Sequence, residues 1–175
     1  MTNFVLISKS NSEGEQLLAP NSANNKVSIG NTTFYHSDPY YSWRNVKNEQ
    51  FFILGNIIGI RKNDKIQKVS KDKSGLKILE DFNLIPEVEG RFVIIKISEI
   101  GLSEVWSDNF GTLEVYQQSS CEKVILSSDL SLLPIAKSGG EFDQLGLAHS
   151  LTVYGSRPAK KHTIYKDVSR LGINE

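Results

Sequence analysis

Few side chains in this 175-residue chain have the type and spacing to do chemistry. Asp108 opens the run Asp108-Asn109-Phe110-Gly111, and Asp129 closes Ser127-Ser128-Asp129 ahead of an apolar stretch. A carboxylate at either place can act on a substrate or serve the backbone. A short acid before a glycine turn accepts the turn's amide hydrogens. An acid just ahead of an apolar helical run accepts the unpaired amides of the first turn. The structural role is the expectation for Asp108, and a helix cap for Asp129. Cys121 is the single cysteine, set in a polar turn. It excludes an internal disulfide, argues against a cysteine metal site, and reads as an incidental thiol in a reducing, cytoplasmic setting. His36, His149 and His162 have no metal-ligand spacing, and no Ser-His-Asp order stands out, so no metal site is expected.

Charge narrows the partners. Lys+Arg and Asp+Glu are both 20, and no cationic cluster is interleaved with aromatics. Neither nucleic acid nor an acidic membrane surface is therefore expected. A hydrophobic share of 39% and a charged share of 23% fit a single domain, residues 1–175, with a proper core. The start MTNFVLISKSNSEGE lacks a signal peptide's basic region, and no apolar run approaches membrane-spanning length.

The elements that must position these residues follow from periodicity. Phe4 to Ile7 reads as a strand, and Asn11 to Asn25 as a loop. Val27–Ile29 and Thr32–His36 read as strands around a Gly30-Asn31 turn. Ser37 to Asn48, with Tyr40, Tyr41 and Trp43, reads as an aromatic-rich loop. Phe51 to Ile60 is apolar on both parities, which predicts a strand covered on both faces, and Gly55 and Gly59 mark a bulge or a close backbone approach. Arg61 to Lys73 is a charged connection. Gly75 to Leu84 has helical spacing, with Pro86 as its stop. Strands are expected at Arg91–Ile97, Leu102–Ser107, Leu113–Gln117 and Val124–Ser127. A short helix is expected from Asp129 to Leu133, a longer one from Asp143 to Thr152, and a last short strand at Thr163–Tyr165. Hairpins with helices between them predict an α+β architecture of antiparallel sheets.

Taken in order, EGRFVIIKI, WSDNFGTLEVYQ and VILSSDLSLL resemble the glutaminase domain of asparagine synthetase and its relatives, the class II glutamine amidotransferases. The residues that carry the likeness are Gly90-Arg91-Phe92, Asp108-Asn109-Phe110-Gly111, Tyr116 and Ser127-Ser128-Asp129. Tyr154-Gly155, Pro158, Thr163-Ile164-Tyr165-Lys166 and Val168-Ser169-Arg170-Leu171 follow the same family's pattern. The resemblance covers about residues 51 to 175. It implies the N-terminal nucleophile hydrolase fold, a four-layer αββα sandwich of two antiparallel sheets between helix layers. It also implies a nucleophile at the start of the mature chain, activated by that residue's own α-amine, and an oxyanion held by a backbone amide and an Asn side chain. Ammonia from glutamine then passes to an ATP-using synthetase domain, so ATP and magnesium belong to that partner and no cofactor is expected in this chain.

Onto this sequence the pattern carries over only in part. Thr2 stands where the family has cysteine. With Met1 removed, Thr2 is a candidate nucleophile; with Met1 retained it has no free amine. Arg44 replaces the family's Arg-Gly-Pro-Asp segment and can grip a substrate carboxylate as a fork or serve as a solvated loop arginine. In Leu54-Gly55-Asn56, Asn56 is the oxyanion candidate or bonds its own backbone, and Gly55 lies beside it as a substrate-binding candidate. Asp72 is the nearest counterpart of the glutamine-binding acid, or simply an acid at a helix start.

Three functions follow. The first is a degenerate, non-hydrolysing glutaminase-type domain that supports an ATP-dependent amide-forming synthetase domain, expected beyond Glu175. The second is an amidohydrolase that uses Thr2 after loss of Met1. The third is a binding module built on Tyr40, Tyr41 and Trp43.

Overall fold

The computed structural model describes residues 3–9, 25–36, 41–70, 73–101, 103–152 and 163–171. Its strands are β1 (Phe4–Lys9), β2 (Asn25–Ile29), β3 (Thr32–His36), β4 (Tyr41–Arg44), β5 (Gln50–Lys62), β6 (Lys65–Lys68), β7 (Val88–Ile97), β8 (Ser103–Ser107), β9 (Tyr116–Ser119), β10 (Lys123–Ser127) and β11 (Val168–Arg170). The α-helices are α1 (Lys73–Leu76), α2 (Pro134–Ser138) and α3 (Gln144–Thr152), with 3-10 segments at Lys77–Glu80, Phe82–Glu87 and Leu130–Leu132. The chain divides into two compact units, Met1–Asp38 with Glu114–Gly172, and Pro39–Leu113 with Ile173–Glu175.

The first unit is built on a six-stranded antiparallel sheet in the order β11-β9-β10-β1-β3-β2. The apolar run at the start of the chain becomes its inner strand. Phe4, Val5, Leu6 and Ile7 are all buried, and β1 pairs with β10 on one edge and β3 on the other. The expected Gly30-Asn31 turn joins β2 to β3, with Gly30 at φ 50°. Val5 and Ile7 pack with Ile125, Leu133, Ile135 and Val168. Pro134 starts α2 and Gly139, at φ 74°, ends it, which uses proline's fixed φ at one end and glycine's freedom at the other. The Asp143 carboxylate accepts from the amides of Leu145 (2.9 Å) and Gly146 (3.2 Å) and so opens α3.

The second unit holds the sheet β4-β5-β7-β8, with β6 paired to the far end of β5. As the apolar run predicted, β5 and β7 are buried on both parities: Phe51, Phe52, Ile53 and Leu54 on one strand, and Phe92, Val93, Ile94 and Ile95 on the other. The two glycines of β5 act as expected. The register slips between Ile57 and Gly59, and Gly55 adopts φ 94° against the carbonyl of Arg91.

Two expectations fail. The α+β, four-layer αββα sandwich, and with it the N-terminal nucleophile hydrolase fold, is not the architecture of this chain. The antiparallel sheets are present, but the molecule is mostly β. Its α-helices, among the described residues, hold four, five and nine residues. Even the longest spans only about 14 Å, too short to form a layer over a sheet. The helix expected over Gly75–Leu84 shows the reason. Asp81 is extended there, and its carboxylate accepts from the Asn83 amide (3.1 Å), which restarts the chain as a 3-10 turn. A short acid that satisfies a neighbouring amide competes with the α-helical ladder. Of the spaced residues, Leu76 and Leu79 still reach the core, so there the spacing reports burial more than a continuous helix. Pro86 lies inside the second 3-10 segment and does not stop a helix.

The aromatic loop is the second failure. Tyr41–Arg44 is strand β4, paired with β5. Trp43 is 5% exposed, stacked on Phe51 with ring centroids 4.9 Å apart. Smaller departures are β9, which starts at Tyr116 and not Leu113, and the unforeseen β6, β11 and α2. At Thr163–Tyr165 there is an isolated bridge from Tyr165 to Phe142.

Candidate functional site

In the first unit, the chemistry-bearing residues gather where β1 begins. Ser128 Oγ accepts the Phe4 amide (2.9 Å), and the Phe4 carbonyl accepts the Ser128 amide (3.2 Å) and Ser127 Oγ (3.2 Å). Both backbone groups of Phe4 are thus held by two adjacent serines. These serines sit there because β10 pairs with β1 in a register that sets Ser127 opposite Val5. The Ser127 hydroxyl is fixed in turn: its oxygen accepts the Asp129 amide (3.1 Å), and its single hydrogen is shared between the carbonyls of Phe4 and Asp129 (2.9 Å). Asp129 then caps the next turn, its carboxylate accepting from the Ser131 amide (2.9 Å). The cap read from the sequence is present, over a 3-10 turn.

The same row of the sheet runs on from Val5 and Ser127 to Tyr116 and Arg170. Glu114 joins the last two. Its carboxylate pairs with Arg170 (3.0 Å) and accepts the Tyr116 hydroxyl. Burial, then the hydrogen bond to Glu114, push the Tyr116 phenol well above its ordinary pKa. Tyr116 is therefore a neutral donor at any physiological pH and cannot act as a base.

In the second unit, Gly55 and Asn56 lie side by side on β5, opposite Phe92 and Arg91 of β7. A side chain at Gly55 would meet the Arg91 carbonyl and, at 3.0 Å, Leu113. Packing thus explains the glycine. Asn56 is exposed and borders a hollow lined by Tyr41, Ile53, Ile57, Val69 and Leu76. The hollow has room for about one water molecule. Arg44 lies at the end of β4. Its guanidinium donates to Asn48 Oδ1 (3.1 Å) and Gln50 Oε1 (3.3 Å), so it braces the turn between β4 and β5. Asn45 completes that turn by accepting the amides of Lys47 and Glu49, both at 2.9 Å.

Asp108 is 1% exposed. One carboxylate oxygen accepts the amides of Phe110 (3.0 Å) and Thr112 (3.2 Å), and the other accepts Thr112 Oγ1 (2.6 Å). The turn role read from the sequence is what the structure has. Cys121 is an exposed free thiol in the turn between β9 and β10. His36 is buried and stacked on Phe34, with centroids 5.2 Å apart. Thr2, Asp72 and His162 lie outside the described residues.

Two arrangements went unread in the sequence. The Glu114, Tyr116 and Arg170 group has one signal, the alternation of Glu114 with Tyr116 at a strand start; Arg170 is too distant in sequence to be linked to it. Lys96 is 8% exposed, paired with Glu104 (2.6 Å) and Glu49 (3.6 Å). A lysine inside the apolar run Phe92–Ile97 signals such partners, because a buried ammonium requires them.

Among the described residues no group of three or more His, Cys, Asp and Glu side chains is placed to hold a metal ion, and no helix is long and apolar enough to cross a membrane. No family model and no curated protein sequence matches this chain.

Proposed function

We propose that this protein is a glutaminase-like chain of the asparagine synthetase family that has lost glutamine hydrolysis and supports an ATP-dependent, amide-forming synthetase. The observation that carries the reading is the clasp on Phe4. The Ser-Ser-acid motif, which is part of the resemblance, fixes the backbone two residues after Thr2 by hydrogen bonds to both the amide and the carbonyl of Phe4. Such a clasp suits a family whose chain start must be held in place. Two other residues of the likeness also serve the scaffold: Asp108 its turn and Asp129 its cap. Thr2 in place of the family's cysteine supports the loss of hydrolysis. The partner supplies ATP and magnesium; this chain supplies a docking scaffold in the cytoplasm.

Ammonia release from glutamine, combined with the intact mass of the same sample, tests the reading. A chain that releases no ammonia, whether or not Met1 is present, fits it. A chain without Met1 that releases ammonia, and stops when Thr2→Ala is introduced, overturns it and makes Thr2 an N-terminal nucleophile.

A further inference from the structure

The hairpin of β5 and β6 stands out from the neutral chain. Residues 61–68 read RKNDKIQK, and every one of them is exposed. Four of the chain's 20 cationic residues lie there and one of its 20 acidic residues, which leaves the hairpin at +3 and the remainder at −3. Arg61 is paired with Glu89. Lys62, Lys65 and Lys68 have no ion pair among the described residues.

The hairpin is well defined. Its two-residue turn, Asn63-Asp64, has φ 51° and 58°, the left-handed pair that matches strand twist in tight hairpins. Lys62 pairs with Lys65, Arg61 with Ile66, and Gly59 with Lys68. Gly59 allows the strands to close up, since a side chain there would meet the Gln67 carbonyl and Ile66 Cγ2. Arg61, Ile66 and Lys68 therefore share one face, and Lys62 and Lys65 the other. Ile66 is 52% exposed between two cations. Among the described residues β6 pairs only with β5. In a two-residue hairpin the closing pair is hydrogen-bonded, so the backbone groups of Ile66 and Lys68 point outward from the sheet.

We propose that β6 is a docking edge for an acidic polypeptide segment, which adds to it as a strand. Charge complementarity selects the partner: three unpaired lysines attract carboxylates on both faces of the added strand. The open edge offers amides and carbonyls in alternation, which match another backbone. An apolar side chain of the partner covers Ile66. A polynucleotide fits less well, because its phosphates only accept and no aromatic residue in the hairpin stacks a base.

The test uses the full chain and a fluorescent peptide of about nine residues that repeats Glu-Glu-Val-Val, so that an added strand carries carboxylates on both faces, read by anisotropy. The expected result is saturable binding that weakens about tenfold or more between about 50 and about 300 mM salt. Lys65→Glu with Lys68→Glu weakens it by a similar factor, while Lys26→Glu with Lys47→Glu leaves it nearly unchanged. A peptide of the same charge interrupted by proline binds poorly, because it cannot donate along the edge. Equal binding by the proline peptide overturns the strand-addition model. So does preference for polyuridylate over the peptide, or self-association of the chain that disappears in the Lys65/Lys68 variant and accounts for the edge by a second copy. No detectable peptide binding at low salt also refutes it.

Discussion

Trp43→Ala is the sharpest test of the second unit. The indole is 5% exposed, lies parallel to Phe51 at 4.9 Å, and donates from Nε1 to Glu80 Oε1 at 2.8 Å. Truncating a buried aromatic to alanine costs about 3–5 kcal/mol. Trp43→Phe keeps most of the stacked area and removes only the hydrogen bond to a carboxylate, a loss of about 1.5–3 kcal/mol for a charged acceptor. Glu80 is only half-buried and water can replace the indole, so the lower end applies. At about 2–4 °C per kcal/mol for a chain of this size, alanine lowers the unfolding midpoint by about 6–20 °C and phenylalanine by about 3–6 °C. The chain has two tryptophans, and both lie in this unit. The fluorescence of Trp106 therefore follows the same unit in both variants during urea unfolding. A loss under about 1 kcal/mol for Trp43→Ala refutes the burial of this side chain and reopens its use as a partner-binding aromatic.

Three further outcomes are expected. Gly55→Ala destabilises the second unit by about 2–5 kcal/mol, combining left-handed strain with overpacking against Arg91 and Leu113; a neutral result by urea unfolding argues against the close approach of β5 to β7. Ser128→Ala strands the Phe4 amide, 2% exposed overall, and costs about 1–3 kcal/mol; hydrogen exchange of the Phe4 and Val5 amides speeds up, and unchanged exchange contradicts the clasp. The Tyr116 phenol is raised in the folded protein, so its contribution is intact below the unfolded value of about 10 and declines as pH rises toward the folded value. Alkaline titration of stability falls more steeply for the native chain than for Tyr116→Phe, and parallel curves refute the Glu114 arrangement.

Much of the fold was legible where a signal was local. The two-residue turn at Gly30-Asn31, the doubly apolar run of β5 and the Asp108 turn each depend on neighbours in sequence. A helix was over-read because the apolar spacing at Leu76 and Leu79 reports burial, while the competing cap of Asp81 decides the backbone. Strand β4 was hidden by turn-forming residues around Tyr41, and its identity is set by pairing with Phe51 and Phe52. The candidate site was less legible. Arg44 and Asn56 suggest ligands by type, but partners on the adjoining turn occupy the first, and the second borders a hollow lined mostly by apolar side chains. The Phe4 clasp joins residues more than 120 positions apart, and only the pairing of β1 with β10 reveals it.

The central proposal is a chain with the asparagine synthetase likeness that does not hydrolyse glutamine. The most direct measurement is ammonia release from glutamine by the full chain, made on protein whose intact mass reports the state of Met1. The account predicts no release above a heat-inactivated control, and no change on Thr2→Ala. Sustained release that Thr2→Ala abolishes would contradict it.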